Sequence, residues 1–242
     1  MKEKSNYILG VLGGVGPLAS AKFIESIYKT QSKIVHVEQE HSQVFLYSDP
    51  SMPDRTAYFS QGLKQDLFVR LTQNLYKLLE MGVDEIVVCC YTLHHILSDL
   101  PQDLIQKIVS LPCLALFEVI RLKKKSLLLC SSGAMRLKVF EHSPFWPDAQ
   151  NYIVKPDDDD QRCIHQTIYQ LKRNSGHVEA FQLLKNMQKK YEVDTWIAGC
   201  TEFHLLSAEL HFSSKRSVDF DAGIDPLLMI ADRMAHERCA KG

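Results

Sequence analysis

Two cysteines stand in matching surroundings in the two halves of this 242-residue chain. Cys90 ends the apolar string 87–90 and Cys200 ends the string 196–200, and a threonine follows each of them closely. Each string is typical of a buried strand that leads into a helix. A thiol at the carboxyl end of such a strand lies in the crevice where open α/β sheets bind ligands. The N–H groups of the next helix would favour its reactive thiolate form.

Two thiols supplied by opposite halves could act as opposed acid and base on one bound molecule, without a metal or a cofactor. The alternative is that a cysteine at a strand end serves only as a small buried apolar side chain. We interpret Cys89 and Cys130 in that way. The paired contexts favour a functional role for Cys90 and Cys200.

Charge and cysteine content exclude several classes of protein. The net charge of −1 gives no electrostatic basis for binding nucleic acid or an anionic membrane. Seven cysteines without a spacing suited to zinc predict free thiols, no metal site and a reducing compartment, the cytoplasm. The first 21 residues imitate a signal peptide, but their glycines and proline suit a strand and a turn better.

Strands alternate with helices along the chain, which predicts parallel sheets built from βαβ units. The predicted strands are residues 7–12, 44–47, 85–89, 114–117, 127–130 and 195–198. The predicted helices are residues 18–28, 61–81, 92–97, 178–191 and 226–239. The acidic run 157–160 is expected to be a solvated loop that caps a helix starting near residue 161. The two cysteine-terminated strands suggest two similar lobes around one cleft.

Five ordered motifs give the chain a family resemblance. They are GVLGGVGP at 10–17, MPDRT at 52–56, CYT at 90–92, LLCSSG at 128–133 and GCTE at 199–202. Through them the chain resembles the aspartate/glutamate racemase superfamily, on the side of the aspartate and broad-spectrum amino-acid racemases. The likeness extends over most of the chain.

The resemblance implies an α/β fold with two pseudo-symmetric lobes, each a four-stranded parallel sheet flanked by helices, and an active site in the cleft between them. Residues 1–100 and 208–242 would form the lobe that carries Cys90, and residues 101–207 the lobe that carries Cys200. The superfamily also implies a cytoplasmic homodimer whose partner is a small amino acid or dicarboxylate, with no nucleic acid and no membrane.

For the site, the resemblance implies that Cys90 and Cys200 are proton donor and acceptor in a cofactor-independent amino-acid racemase. Arg55 would hold a substrate carboxylate, and either Lys172 or Arg173 would hold an acidic side chain. The full set of implied substrate-binding residues is Arg55, Tyr91, Thr92, Ser131, Ser132, Lys172, Arg173 and Thr201.

The chain departs from the family pattern beside the first thiol. Tyr91 stands where asparagine is usual, and a phenol cannot reproduce the two donors of an amide. His94 or His95 could tune the thiolate or lie on a helix surface, whereas His204 is expected to be structural. Glu202 could cap its own helix or polarise a nearby group.

Three other functions compete with amino-acid racemisation. One is a reaction on dicarboxylates, of the kind catalysed by maleate isomerase or arylmalonate decarboxylase. The presence of Tyr91 in place of asparagine could indicate such a change of reaction. Another is non-catalytic binding of small carboxylates. The third is dinucleotide binding by the GxGxxA string at residues 14–19, but the next predicted strand ends too late to supply the expected acidic ribose ligand.

Overall fold

The computed structural model describes residues 7–213, 221 and 223–239, and it contains two parallel sheets flanked by helices. The strands are β1 (Ile8–Gly13), β2 (Gln43–Ser48), β3 (Glu85–Val88), β4 (Ile108–Val109), β5 (Ser126–Cys130), β6 (Ile153–Val154) and β7 (Thr195–Gly199). The helices are α1 (Pro17–Gln31), α2 (Arg55–Ser60), α3 (Lys64–Glu80), α4 (Gln102–Ile105), α5 (Leu111–Leu122), α6 (Ser132–Arg136), α7 (Trp146–Ala149), α8 (Asp158–Lys172), α9 (His177–Tyr191), α10 (His204–Phe212) and α11 (Pro226–Cys239). Short 3-10 helices span Glu38–Glu40, Tyr91–Asp99, Gln150–Tyr152 and Thr201–Phe203. No helix of the described ranges is both long and apolar enough to cross a bilayer.

The sheet order confirms the predicted parallel α/β architecture. The first sheet has the order β2-β1-β3-β4 and the second the order β6-β5-β7, with every neighbouring pair parallel. The expected four strands are therefore present in the first sheet. In the described part of the second sheet, the fourth position is reduced to one bridge between Ile197 and Ile224.

A single apolar core joins the two sheets. Inward-facing side chains from four strands meet side chains of α1, α5 and α11 there, among them Leu9, Val87, Leu128, Ile197, Phe23, Leu116 and Leu227. Smaller clusters cover the outer face of each sheet, with α3 on the first sheet and α8 and α9 on the second. Separating the two halves would expose this shared core to water, so the core holds their relative position.

A buried polar network also ties three helices together. The His204 ring contacts the Asp225 carboxylate through Nδ1 at 2.6 Å and the Ser26 hydroxyl through Nε2 at 3.1 Å. All three side chains are at most 3% exposed. Solvent does not reach this serine, so the network is structural, as expected for His204.

One predicted strand is wrong. Residues 114–117 lie inside helix α5, which begins at Leu111. The Ser110 side chain accepts a hydrogen bond from the backbone N–H of Cys113, and Pro112 occupies the first turn. Leu111, Ala115 and Val119 are buried at a spacing of four, which is the period of a helix face.

Other boundaries differ from the prediction in smaller ways. The helix predicted at 92–97 is the 3-10 helix Tyr91–Asp99, and α8 begins three residues earlier than expected, with Asp157 as its N-cap. Strand β4 pairs with β3, so the first sheet continues beyond residue 100, where the lobe boundary was predicted. The division of the chain into two lobes stays a prediction.

Candidate functional site

A small cavity lies where the chain leaves four strands. Segments that follow β1, β3, β5 and β7 line it together with α8 and the start of α2. The lining residues are Val15, Asp54, Arg55, Thr56, Cys90, Thr92, Ser131, Ile168, Tyr169, Lys172, Cys200, Thr201 and Glu202. The free volume is about 20 Å³, room for about one water molecule and too little for an amino acid.

Cys90 shares the cavity with a partly buried cation. The Arg55 guanidinium lines the same cavity and donates to the carbonyl oxygens of Val15 at 2.9 Å and Pro53 at 3.0 Å. Burial lowers the pKa of Arg55, but the nearby Cys90, Asp54 and Glu202 raise it, so that the net pKa is above the usual value. Arg55 therefore keeps its charge in the cavity.

Cys200 lies instead beside a buried anion. Its thiol donates to Oε2 of Glu202 at 2.8 Å, and Nζ of Lys172 donates to Oε1 of the same carboxylate at 2.6 Å. Burial and the Glu202 carboxylate raise the pKa of Cys200 well above its usual range, against a smaller lowering by Lys172. The expected lowering by a helix N-terminus is absent here, since the segment after Cys200 is a short 3-10 helix and a carboxylate contacts the sulfur.

The glycine turn after β1 supports both sides of the cavity. The Val15 carbonyl accepts hydrogen bonds from Arg55 and, at 3.2 Å, from Nζ of Lys172. Gly14 has a φ of +83°, and a Cβ there would collide with backbone atoms of Asp49. A Cβ on Gly16 would collide with the Glu202 carboxylate. The turn is therefore glycine-rich because a loop and a charged side chain approach its backbone closely.

A dinucleotide fits this turn poorly. The buried Glu202 carboxylate occupies the space over Gly16, where the pyrophosphate of a dinucleotide would need N–H donors and no negative charge. The described residues also contain no group of three or more histidine, cysteine, aspartate or glutamate side chains arranged to hold a metal ion.

Hydroxyl groups join the two halves around the thiols. Oγ1 of Thr92 and Oγ of Ser131 are 3.1 Å apart, and Ser131 also caps α6 by accepting the N–H of Ala134. The Thr201 hydroxyl donates to the carbonyl of Cys89 at 3.1 Å. The main chain next to each thiol is thus fixed by a side chain or segment from the other half.

The helix that carries Arg55 is linked to α8 by one short hydrogen bond. Asp54 caps α2 by accepting the N–H of Ala57, and its second oxygen accepts the Tyr169 hydroxyl at 2.6 Å. Burial raises the pKa of Asp54, but the hydrogen bonds from Tyr169 and Ala57 lower it by more. The net pKa of Asp54 is therefore below its usual value. The side chains of α2 are only partly buried or exposed, with Tyr58 and Phe59 packed against the outer apolar cluster, so this contact adds to what holds the helix in position.

Seven of the residues implied by the family resemblance line the cavity, namely Arg55, Cys90, Thr92, Ser131, Lys172, Cys200 and Thr201. Three do not line it: Tyr91, Ser132 and Arg173. Arg173 is the C-cap that follows α8, and it is exposed. Lys172, the last residue of α8, points its ammonium group into the cavity. The backbone N–H of Ser132 donates to the His165 ring at 3.3 Å.

Tyr91 points away from Cys90 into the shared core. Its ring stacks on Phe140 with centroids 5.3 Å apart, and the side chain is 2% exposed. Burial raises the pKa of Tyr91, and its hydroxyl has no hydrogen-bond partner among the described residues. The extended backbone at Cys90 explains this orientation, because successive side chains then alternate in direction.

The two candidate histidines lie outside the thiol cavity. His94 and His95 line a separate groove together with His142. Burial lowers the pKa of His94 to about 3, against a smaller raising by the Val88 backbone. A neutral ring in this place supports the 3-10 helix after Cys90.

Sequence reasoning missed two parts of the site and left a third open. Asp54 and Tyr169 were not expected in the lining, although Asp54 belongs to the MPDRT motif and Tyr169 lies one helical turn before Lys172. The role of Glu202 was undecided. Its position in the GCTE motif, two residues after a thiol, was the available signal.

Comparisons with known proteins agree with this fold. The family model for Asp/Glu/Hydantoin racemase matches residues 12–220. An aspartate racemase from Picrophilus torridus is similar in structure, with a TM-score of 0.76 and 22% identity, over 96% of this chain and 94% of that chain. An aspartate racemase homologue from Pyrococcus horikoshii gives a TM-score of 0.65 and 14% identity, over 97% of this chain and 99% of that chain. A glutamate racemase from Francisella tularensis gives a TM-score of 0.58 and 17% identity, over 98% of this chain and 82% of that chain.

The family match covers most of the chain, so the chain belongs to the Asp/Glu/Hydantoin racemase family. The protein is therefore a racemase, an isomerase.

Proposed function

We propose that this protein racemises a small amino acid by a cofactor-independent, two-base proton transfer between Cys90 and Cys200. One observation carries the proposal: two thiols from opposite halves line the same cavity as two partly buried cations, Arg55 and Lys172. A structural role for the thiols does not explain that combination.

The chemistry needs one acid and one base on opposite faces of Cα. The Cys90 thiolate removes the Cα proton and becomes a thiol, while Cys200 delivers its own proton to the other face and becomes a thiolate. The roles exchange for the other enantiomer. Charge that develops on the substrate carboxylate is stabilised by the Arg55 guanidinium and by hydroxyl donors such as Thr92.

The charge of the cavity favours an acidic substrate. Arg55 is suited to the α-carboxylate because it lies beside Cys90, and Lys172 is suited to a side-chain carboxylate from the other wall. Aspartate and glutamate are therefore the first candidates. The Picrophilus protein is named an aspartate racemase and the Francisella protein a glutamate racemase, which supports this choice.

Substrate binding requires the cavity to open. The shared apolar core opposes separation of the two halves, whereas α2 is short and its side chains are only partly buried or exposed. We infer that α2 moves with Arg55, and that the hydrogen bond between Asp54 and Tyr169 closes it over the substrate. Closure would exclude water around the reacting carbon.

The test is racemisation of a panel of L- and D-amino acids in heavy water, followed by chiral separation and mass spectrometry. We expect deuterium at Cα and inversion for aspartate or glutamate. Cys90→Ala and Cys200→Ala should each lower the inversion rate at least about 1000-fold, since each variant lacks one of the two proton-transfer groups. Cys163→Ala, which changes an exposed cysteine outside the cavity, is the matched control and should keep the rate.

The panel also separates the competing functions. Inversion that survives both alanine variants would exclude the thiol mechanism. Product formed from dicarboxylates such as maleate, with no exchange into any amino acid, would favour the isomerase or decarboxylase reaction. A thermal shift with amino acids but no exchange would identify a binding protein.

We further propose a cytoplasmic homodimer, on the strength of the family membership and the free thiols. Sedimentation of the purified protein measures the oligomeric state, and a single species with the mass of one chain would contradict the dimer.

A further inference from the structure

Glu202 is the one cavity residue whose contacts distinguish the two thiols. Its carboxylate is 2% exposed. It accepts the Cys200 thiol at 2.8 Å through one oxygen and the Lys172 ammonium at 2.6 Å through the other. In this closed arrangement the carboxylate is shielded from solvent and faces the sulfur.

The geometry has a direct consequence for the proton on Cys200. A thiol can donate to a carboxylate, whereas a thiolate would place two negative charges 2.8 Å apart in a buried site. Loss of the proton therefore breaks a hydrogen bond and creates a repulsion. Lys172 offsets part of that repulsion, but it is bound to the oxygen that is remote from the sulfur.

The first thiol has a different environment. Cys90 shares the cavity with the Arg55 guanidinium, a cation. Asp54, which precedes Arg55, directs its carboxylate to Tyr169 and to the N–H of Ala57. When Glu202 keeps the proton on Cys200, the role of base falls to Cys90.

We propose that Glu202 is a positioning residue that keeps the proton on Cys200 in the substrate-free enzyme, so that Cys90 is the resting base and Cys200 the resting acid. This inference rests on the proposed two-thiol racemisation and adds to it an order between the thiols. After one inversion the proton lies on Cys90 and Cys200 is a thiolate beside Glu202. That form is the less stable of the two, so the free enzyme returns to the resting form by moving one proton from Cys90 to Cys200 through water.

The test measures the protonation of Cys200 without relying on activity. In a Cys90→Ser background, iodoacetamide alkylation of the Cys200 peptide is followed by mass spectrometry as a function of pH. Glu202→Gln keeps the size of the side chain and removes its charge. The alkylation midpoint should fall by at least about one pH unit. Glu141→Gln, which changes a lysine-paired glutamate outside the cavity, should leave it in place.

Lys172→Met gives an independent variant with Glu202 intact. Removing the ammonium leaves the carboxylate uncompensated, so the midpoint for Cys200 should rise. Opposite shifts in the two variants support the proposal even if one of them is less stable. Midpoints that stay within about 0.3 pH units of the parent in both variants would overturn it.

Kinetics supply a second readout. The proposed active form holds one proton between the two thiols, so the profile of kcat/KM against pH should be bell-shaped, and its alkaline limb should report loss of that proton. Glu202→Gln should shift that limb to lower pH and leave the acidic limb in place, in both reaction directions. A merely structural role would lower the height of the bell without shifting it. Shifted alkylation midpoints without any racemisation would retain the role of Glu202 and refute the proposed reaction.

Discussion

The two thiol environments contain the same kinds of groups in a different arrangement. Around Cys90 the neighbouring charge is the Arg55 cation, held by backbone carbonyls. Around Cys200 the neighbouring charge is the Glu202 anion, held by Lys172. The sequence surroundings of the two cysteines look equivalent, but their electrostatic surroundings are opposite.

This difference teaches that matching strand ends do not imply matching thiols. Position at the end of a parallel strand brings each sulfur to the same cavity, and Glu202 and Lys172, from the same half as Cys200, then set the charge around Cys200. A two-base enzyme needs one protonated and one deprotonated group at a time. In the proposed mechanism, unequal neighbours supply that state before substrate arrives.

Among substitutions of the groups around the thiols, the largest effect is expected from removing the cation that shares the cavity with Cys90. Arg55→Gln should lower kcat/KM about 100-fold, because a buried donor to the developing carboxylate charge is lost. Steady-state kinetics in both directions measure the change. Arg70→Gln, which changes a cation bound to Asp49 outside the thiol cavity, is the control. A loss of less than about threefold would remove Arg55 from the proposed mechanism.

Removing the cation on the other side should cost less and should change selectivity. We expect Lys172→Met to lower kcat/KM about tenfold for aspartate or glutamate and less for a neutral amino acid, since only an acidic side chain uses the ammonium. Lys155→Met, which breaks an ion pair outside the cavity, should not affect the ratio. An equal loss for acidic and neutral substrates would mean that Lys172 acts only through its contact with Glu202 and does not bind the substrate side chain.

The hydrogen bond that links α2 to α8 should have a modest effect. Tyr169→Phe removes the donor to Asp54, so α2 opens more readily. KM should rise about threefold, and Cys90 should be alkylated faster at fixed pH, with a loss of about 1 kcal/mol in the free energy of unfolding. Tyr191→Phe removes a similar bond to Asp160 outside the cavity and should not change the alkylation of Cys90. Unchanged alkylation of Cys90 in Tyr169→Phe would exclude α2 as the moving part.

The smallest effect is expected at the residue next to Cys90. Tyr91→Phe removes a buried hydroxyl that has no partner among the described residues, so the free energy of unfolding should stay the same or rise by up to about 1 kcal/mol. Urea unfolding followed by circular dichroism measures it. Destabilisation, or a large loss of racemisation, would show that the Tyr91 hydroxyl has a role in the fold or in the reaction that this structure does not explain.

The sequence was sufficient for the parts of the fold that depend on local pattern. The apolar runs of β1, β5 and β7 and the leucine stripe of α3 predicted elements that the structure contains. The run at 114–117 failed because four apolar residues fit either a strand or a buried helix. The capping Ser110 and the following Pro112 were the signal that distinguishes the two.

Site residues could be predicted where they belong to a sequence motif. They could not be predicted where the direction of the side chain determines whether the residue reaches the cavity. Lys172 and Arg173 are adjacent, and one residue rotates the direction by about 100° around a helix, so the spacing from Tyr169 could not choose between them. The bond between Glu202 and Cys200 depends on the space over Gly16 and on Lys172, which comes from another helix. Such contacts arise only when distant segments pack.

The most direct measurement is early solvent exchange during one-way racemisation. One enantiomer of the amino acid that inverts fastest is incubated in heavy water, and the reaction is stopped below about 10% conversion. Two opposed thiols predict a product pool carrying deuterium at Cα while the unreacted enantiomer keeps its hydrogen, since the group that removes the proton differs from the group that returns one. Equal deuterium in both pools from the earliest time would contradict two thiols acting on opposite faces.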